Sequence, residues 1–233
     1  MAAYRGRGVH GRTVEILGTR IVSGELAEGA TLDIAGLGRE LDVSLTALRE
    51  ALKVLAAKGL LDARQKRGTF VTPRGGWNLL DADVMRWEFA GARRAALFAD
   101  LAEVRAAVEP ACAEAAARRR TPADLAALDR ALDDMARAHT AGDPARAAAA
   151  DLAFHRALYT ATHNELFARM DLFIEIPLAE RDRVVHAADA DDPVPVHRAV
   201  LQAVRAGSPE AARDAVRVLL EKAARDLRAV LKG

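Results

Sequence analysis

Between Ala35 and Thr72 the apolar positions change period twice. Leu37 and Leu41 repeat at helical spacing, and a tight turn follows around Leu41 to Ser44. Leu48, Leu52 and Leu55 then mark the buried stripe of a second helix, capped by Ser44. That helix leaves Ser44, Thr46, Arg49 and Lys53 pointing outward, so one face packs and the other is free to enter a groove. Gly59 stops it where a left-handed residue is needed. Two short strand-like runs, LLDAR and TFVT, come next, joined by Gln65, Lys66, Arg67 and Gly68 as a basic hairpin tip. An amphipathic helix with a charged surface would explain the helix alone. The order helix, turn, helix, basic hairpin is that of a winged helix-turn-helix.

After the wing, Pro73 and the Gly75-Gly76 pair break periodicity and signal a hinge, bracketed further on by the chain's two tryptophans, Trp77 and Trp87. Two large rings on a linker would pin one module against the next. From Arg94 onward the pattern is helical, rich in Ala and Leu. Thr121-Pro122 with Asp124, Asp143-Pro144 and Ser208-Pro209-Glu210 each read as a cap with proline in the first turn, and Asp192-Pro193 with Pro195 marks another start. These breaks predict helices over 94–119, 122–140, 144–162, 164–187, 196–206 and 209–231, after a short one at about 81–90. The expected fold class is mainly α: a winged helix-turn-helix over 1–74, a linker and short helix over 75–93, and an all-α antiparallel bundle over 94–233.

Charge sharpens this division. The 233 residues carry a net charge of only +1, but residues 1–74 hold 12 Lys/Arg against 8 Asp/Glu and the remainder 22 against 25. Positive charge collects where a polyanion would bind. A hydrophobic content of 51% suffices for real cores, and no run of about 18 apolar residues is present to span a membrane. The opening MAAYRGRGVHGR lacks a signal-peptide core and reads as an arm that either touches phosphates or stays disordered. A cytoplasmic location is expected. The single cysteine, Cys112, excludes an intramolecular disulfide and, between two alanines, reads as a small core residue.

Asp151, His155, Leu158 and Thr162 share one helical face in DLAFHRALYTATHN, with Leu152 and Ala153 on its apolar flank. Buried polar groups need partners. Asp and His four apart can ligate one divalent metal, and His197 is placed to supply a third ligand from a later helix; a satisfied core histidine is the plainer alternative. Arg105 has the fork that grips a carboxylate, although Glu109, four residues on, could simply pair with it.

The pattern of an initial helix over Thr13 to Gly24, a Leu-Ala-Glu-Gly-Ala turn, VSLTALREAL, KGLL and RGTFV resembles the N-terminal domain of the GntR family of bacterial transcription regulators. By that resemblance Arg39, Ser44, Thr46, Arg49, Lys66, Arg67 and Gly68 contact double-stranded DNA. Many members carry Arg after the capping serine, where this chain has Leu45, so the usual operator half-site does not carry over. The string W-N-x-L-D-x-D-V-x-x-W is similar to the same segment in members that answer to sugar acids. Residues from about Ala95 to Leu231 resemble the ligand-sensing FCD domain of the FadR branch. There D-x-x-x-H, a later His and often a final His hold a metal such as zinc whose open positions accept a carboxylate. Asp151, His155 and His197 match three of these ligands; the fourth falls near Leu219, which cannot coordinate. The resemblance further implies Arg105, Asn164 and, more weakly, Arg225 as effector contacts.

The expected function is thus a homodimeric, DNA-binding regulator, a repressor of sugar-acid catabolic genes released by a small organic acid, and not an enzyme. The competing expectation is a metal-dependent enzyme in which Asp151, His155 and His197 activate water, with Glu175 or Glu180 as a guessed base. An acyl-CoA sensor fits less well, because a long acyl chain wants an apolar tunnel rather than a His/Asp stripe. Arg118, Arg119 and Arg120 at a helix end are explained by the helix dipole.

Overall fold

Thr13, Val14, Leu17, Gly18 and Ile21 form the buried side of the first helix, α1 (Val9–Val22), which starts four residues before the expected Thr13. In this computed structural model residues 8–171, 175, 179 and 192–232 are described. Asp33 caps α2 (Ile34–Glu40) by accepting from the Gly36 amide, and Ser44 caps α3 (Leu45–Ala57) by accepting from Ala47. Leu48, Ala51, Leu52 and Leu55 turn the apolar stripe of α3 onto α1 and α2. Gly59 follows with φ +78°, and a Cβ there would come within 2.2 Å of the Gly76 carbonyl oxygen, so only glycine fits.

The strands β1 (Leu61–Arg64) and β2 (Gly68–Val71) pair antiparallel with Leu61 opposite Val71 and Arg64 opposite Gly68. The chain at Gly29 to Leu32 adds to the free edge of β2, with Leu32 donating to Thr69 and Val71 to Ala30. The winged helix-turn-helix expected from periodicity is therefore present.

The short helix α4 (Ala82–Ala90), capped by Asp81, belongs to the same unit, which runs Met1–Arg94. Trp77 and Trp87, expected to pin two modules together, lie instead in this unit's own core with Val14, Leu17 and Val84. Trp87 covers Gly18 so closely that a Cβ there would meet its ring at 2.3 Å, and its Nε1 donates to Glu15. Ion pairs reinforce the attachment: buried Lys58 binds Asp81 and Asp83 at 2.8 Å each, Arg86 binds Glu15, and Arg74 binds buried Glu88.

The second unit, Ala95–Gly233, is all-helical among its described residues. Its elements are α5 (Arg94–Arg119), α6 (Pro122–Thr140), α7 (Pro144–Thr160), the short α8 (Glu165–Ala168), α9 (Val194–Ala206) and α10 (Pro209–Lys232). Thr121 and Asp124 form a reciprocal capping box on α6, and Asp143 caps α7. Alanines 113, 116 and 117 of α5 and Ala131 of α6 let Phe154, Leu158, Val200, Val204 and Val216 pack into one core. The helix expected over 164–187 is described only at its start, where α8 gives way to a 3₁₀ turn at Arg169–Asp171; the rest lies largely outside the described residues. No described helix is long and apolar enough to cross a membrane.

Candidate functional site

Helix α7 presents Asp151 and His155 inward one turn apart, and α9 brings His197 to the same point; all three are buried. The His197 Nε2 stands 2.7 Å from Asp151 Oδ1, and the His155 Nε2 stands 3.8 Å from the same oxygen. Protonation follows from the partners, since hydrogens are assigned rather than seen. His197 Nδ1 lies 2.8 Å from the Pro193 carbonyl, which can only accept, so Nδ1 carries a proton and, in the neutral imidazole, Nε2 bears the lone pair. His155 Nε2 lies 3.4 Å from Arg105 Nη2, which can only donate, so in the neutral ring Nε2 accepts that long contact and Nδ1, 3.1 Å from Glu109 Oε2, carries the proton.

The Nε2 atoms of both imidazoles thus lie near one carboxylate oxygen, that of His197 closely, and in the neutral rings each bears a lone pair. That is repulsive unless a cation or a proton intervenes, and His197 Nε2 makes no aligned hydrogen bond that would place a proton there. Phe154 sets the His197 ring by an edge contact at 5.0 Å. Inner nitrogens turned toward one point, with the outer nitrogen of His197 on a carbonyl and that of His155 facing a carboxylate, make a donor set suited to a divalent metal. The residues fit the ion. Leu219, at the fourth-ligand position, is buried in the apolar core, so protein ligands would leave coordination positions open.

Around this cluster Arg105 Nε donates to Glu109 Oε1, and both residues are buried. The expected Arg105–Glu109 ion pair therefore exists, and it adjoins the Asp151/His155/His197 cluster. Burial alone would raise the Glu109 pKa, but the Arg105 guanidinium, together with the polar contact to His155, outweighs it and holds the carboxyl at about 2. Burial, with the Glu109 charge beside it, raises the Tyr159 hydroxyl, and burial lifts the Cys112 thiol to about 12. Glu109 as partner of His155 is the residue the sequence did not single out.

Arg105 also borders a cavity of about 310 Å³ between α5 and α10, lined by Phe98, Leu101, Leu220, Arg217 and Glu221 among others. Arg225 is exposed and outside that lining, which Arg217, two turns earlier, enters instead. The Asn164 side chain caps α8 by accepting from Leu166 and Phe167. Thr162 lies beyond α7 and donates its hydroxyl to the Tyr159 carbonyl. Glu175 pairs with Arg156 at 2.7 Å, and Glu180 lies outside the described residues. Arg118 pairs with Glu114, while Arg119 and Arg120 donate to carbonyls, so this run is structural.

On the first unit Arg39, Ser44, Thr46, Arg49, Lys66, Arg67 and Gly68 are all exposed. Lys66 and Gly68 adopt φ +70° and +80°, which makes the tight wing tip. Arg67 is folded back, its guanidinium 3.6 Å from the Phe70 ring centre and donating to the Gly29 carbonyl.

Residues 10–71 match the gntR family of bacterial regulatory proteins, and residues 100–222 match the FCD domain family. The chain is 32% identical over 225 residues to the galactonate operon transcriptional repressor of Escherichia coli K12, covering 94% of this chain and 96% of the relative. It is 33% identical over 221 residues to an HTH-type transcriptional regulator of Mycobacterium tuberculosis, covering 91% and 87%. Among solved structures, a Streptococcus agalactiae GntR protein aligns with a TM-score of 0.52 and 27% identity over 94% of this chain and 99% of that one. Lar of Listeria monocytogenes aligns at 0.65 with 18% identity over 97% and 99%, a likeness of fold.

Proposed function

The chain belongs to the GntR family of bacterial transcription regulators and carries an FCD domain, and on that premise we propose that it represses sugar-acid catabolic genes and leaves its operator when a small aldonate-like acid enters the helical unit. GntR regulators bind operator DNA, and the basic, exposed face of α3 with the wing supports the same use here. Two copies related by a twofold axis would read a palindrome, since one winged helix spans only a few base pairs.

The observation that carries the ligand class is the guanidinium of Arg105 lying 3.4 Å from His155, at the edge of the Asp151/His155/His197 cluster. A bound divalent ion and that guanidinium would repel each other until an anion came between them. A 2-hydroxy carboxylate fits both: the ion supplies positive charge and open positions for its oxygens, and Arg105 takes the remaining carboxylate oxygen. Arg217 and Glu221 in the adjoining cavity offer polar partners for further hydroxyls. The likeness to a galactonate operon repressor supports a sugar acid. Control then rests on different effector affinities of two arrangements of the protein, because a ligand that binds both equally shifts nothing.

Fluorescence anisotropy on the DNA upstream of the protein's own coding region, with aldonic, uronic and simple carboxylic acids and with or without chelator, tests this. Release by an aldonate that is recovered unchanged, and abolished by chelator, is expected. Consumption of the acid would instead favour the metal-dependent enzyme. Indifference to every acid would remove the effector assignment.

A further inference from the structure

Leu45 is the first residue of α3, next to the capping Ser44, and it is 50% exposed. One side of it leans on α2, its Cδ2 lying 3.3 Å from where a Cβ on Gly38 would be. The other side is bare. Arg49 follows one turn later on the same face and Thr46 is adjacent, both exposed, while Leu48 and Leu52 face the core. A single exposed leucine elsewhere on a surface needs no explanation. This one stands at the N-terminal end of the helix that enters the major groove, where side chains reach base edges.

A leucine there can neither donate to guanine nor bind phosphate. The apolar group that the major groove displays is the 5-methyl of thymine. We propose that Leu45 is a specificity-determining residue that packs on a thymine methyl in each operator half-site, beside the base or phosphate contacts of Thr46 and Arg49. This rests on the DNA-binding reading and adds which base is read. The apolar half-surface of Leu45, stranded among polar neighbours in free protein, loses its water when the methyl covers it. A guanine at that position would instead bring acceptors against the side chain with no donor to meet them, so the preference is both attraction to T and rejection of G.

The test selects binding sites from a random duplex pool with the full-length protein. It then measures anisotropy at one fixed salt concentration on the selected site with each thymine pair, one per half-site, replaced by deoxyuridine. That exchange removes one methyl and nothing else. One symmetric pair is expected to weaken wild-type binding by roughly 15-fold, about fourfold per methyl, and to weaken Leu45→Ala by less than about twofold. Leu45→Arg is expected to move the selected base at that position from T to G. The proposal fails if DNA is selected but no uracil pair weakens binding, or if Leu45→Ala keeps the same sensitive thymine. Selection of no sequence at all would overturn the DNA-binding reading itself and this proposal with it. Thermal melts of both variants matching wild type exclude misfolding, which a solvent-facing substitution should not cause.

Discussion

His197 holds its Nε2 2.7 Å from Asp151 Oδ1 while its Nδ1 is engaged by the Pro193 carbonyl at 2.8 Å. A lone pair and a carboxylate oxygen approach this closely when something positive lies between them. With His155 Nε2 3.8 Å from the same oxygen, the three residues gather donor atoms around one point, an arrangement that a divalent ion would fit.

Asp151→Ala and His197→Ala should each lose bound metal, read by elemental analysis of the purified protein. In the wild type a saturating ion at 100 times its Kd stabilises by about 2.7 kcal/mol, so chelator should lower Tm by roughly 5–10 °C. The variants should melt at the same temperature with and without chelator. Equal chelator sensitivity in wild type and variants would disprove the site.

Arg105→Ala should weaken organic-acid binding by roughly 10- to 100-fold, as loss of a charge-assisted hydrogen bond predicts. It should also destabilise by about 3–5 kcal/mol, because buried Glu109 is left without its guanidinium. The double change Arg105→Ala with Glu109→Gln should recover part of the stability and none of the affinity. Urea melts and calorimetric titration separate the two effects.

Glu15 accepts from Arg86 and Trp87, and the Arg86 bond, against the opposing effect of burial, lowers its pKa below the usual 4.5. A depressed folded-state pKa contributes stability that is present above the unfolded value and lost as pH falls through the folded one. The urea midpoint of the first unit, followed by tryptophan fluorescence, should therefore fall below about pH 4.5. Glu15→Gln should lower the midpoint at pH 7 and flatten that part of the profile. An unchanged acid limb in the variant would assign the loss to other carboxylates.

Arg67 rests on Phe70 and the Gly29 carbonyl, whereas Lys66 at the wing tip is exposed. Lys66→Ala should reduce the slope of log affinity against log salt by about 1 for the phosphate that the ammonium no longer neutralises, similarly on all sequences. Arg67→Ala should lower the stability of the wing as well as DNA affinity. If Arg67→Ala left stability untouched and cost only salt-dependent affinity, its structural role would be wrong.

The sequence carries the local code plainly where partners are neighbours along the chain. Thr121, Pro122 and Asp124 fix the start of α6 within four residues, and the helices expected over 94–119 and 122–140 have those bounds in the structure. The i, i+4 spacing likewise showed that Asp151 and His155 share a face. What periodicity does not carry is the identity of distant partners. Trp87 finds Gly18 and Glu15 some 70 residues earlier, and nothing in the spacing around Trp87 announces them; the segment therefore read as a linker. Glu109 faces His155 across two helices, so from α5 alone it looked like the mate of Arg105 and no more.

Cys112, fully buried in α5 with its thiol raised to about 12, is scarcely ionised near neutral pH. A maleimide dye or spin label offered to the native protein will therefore pass it by and react with a cysteine introduced on the surface, at Lys53→Cys or Arg225→Cys for instance. Spectroscopic rulers can then be attached to either unit without first stripping the chain of its own sulfhydryl.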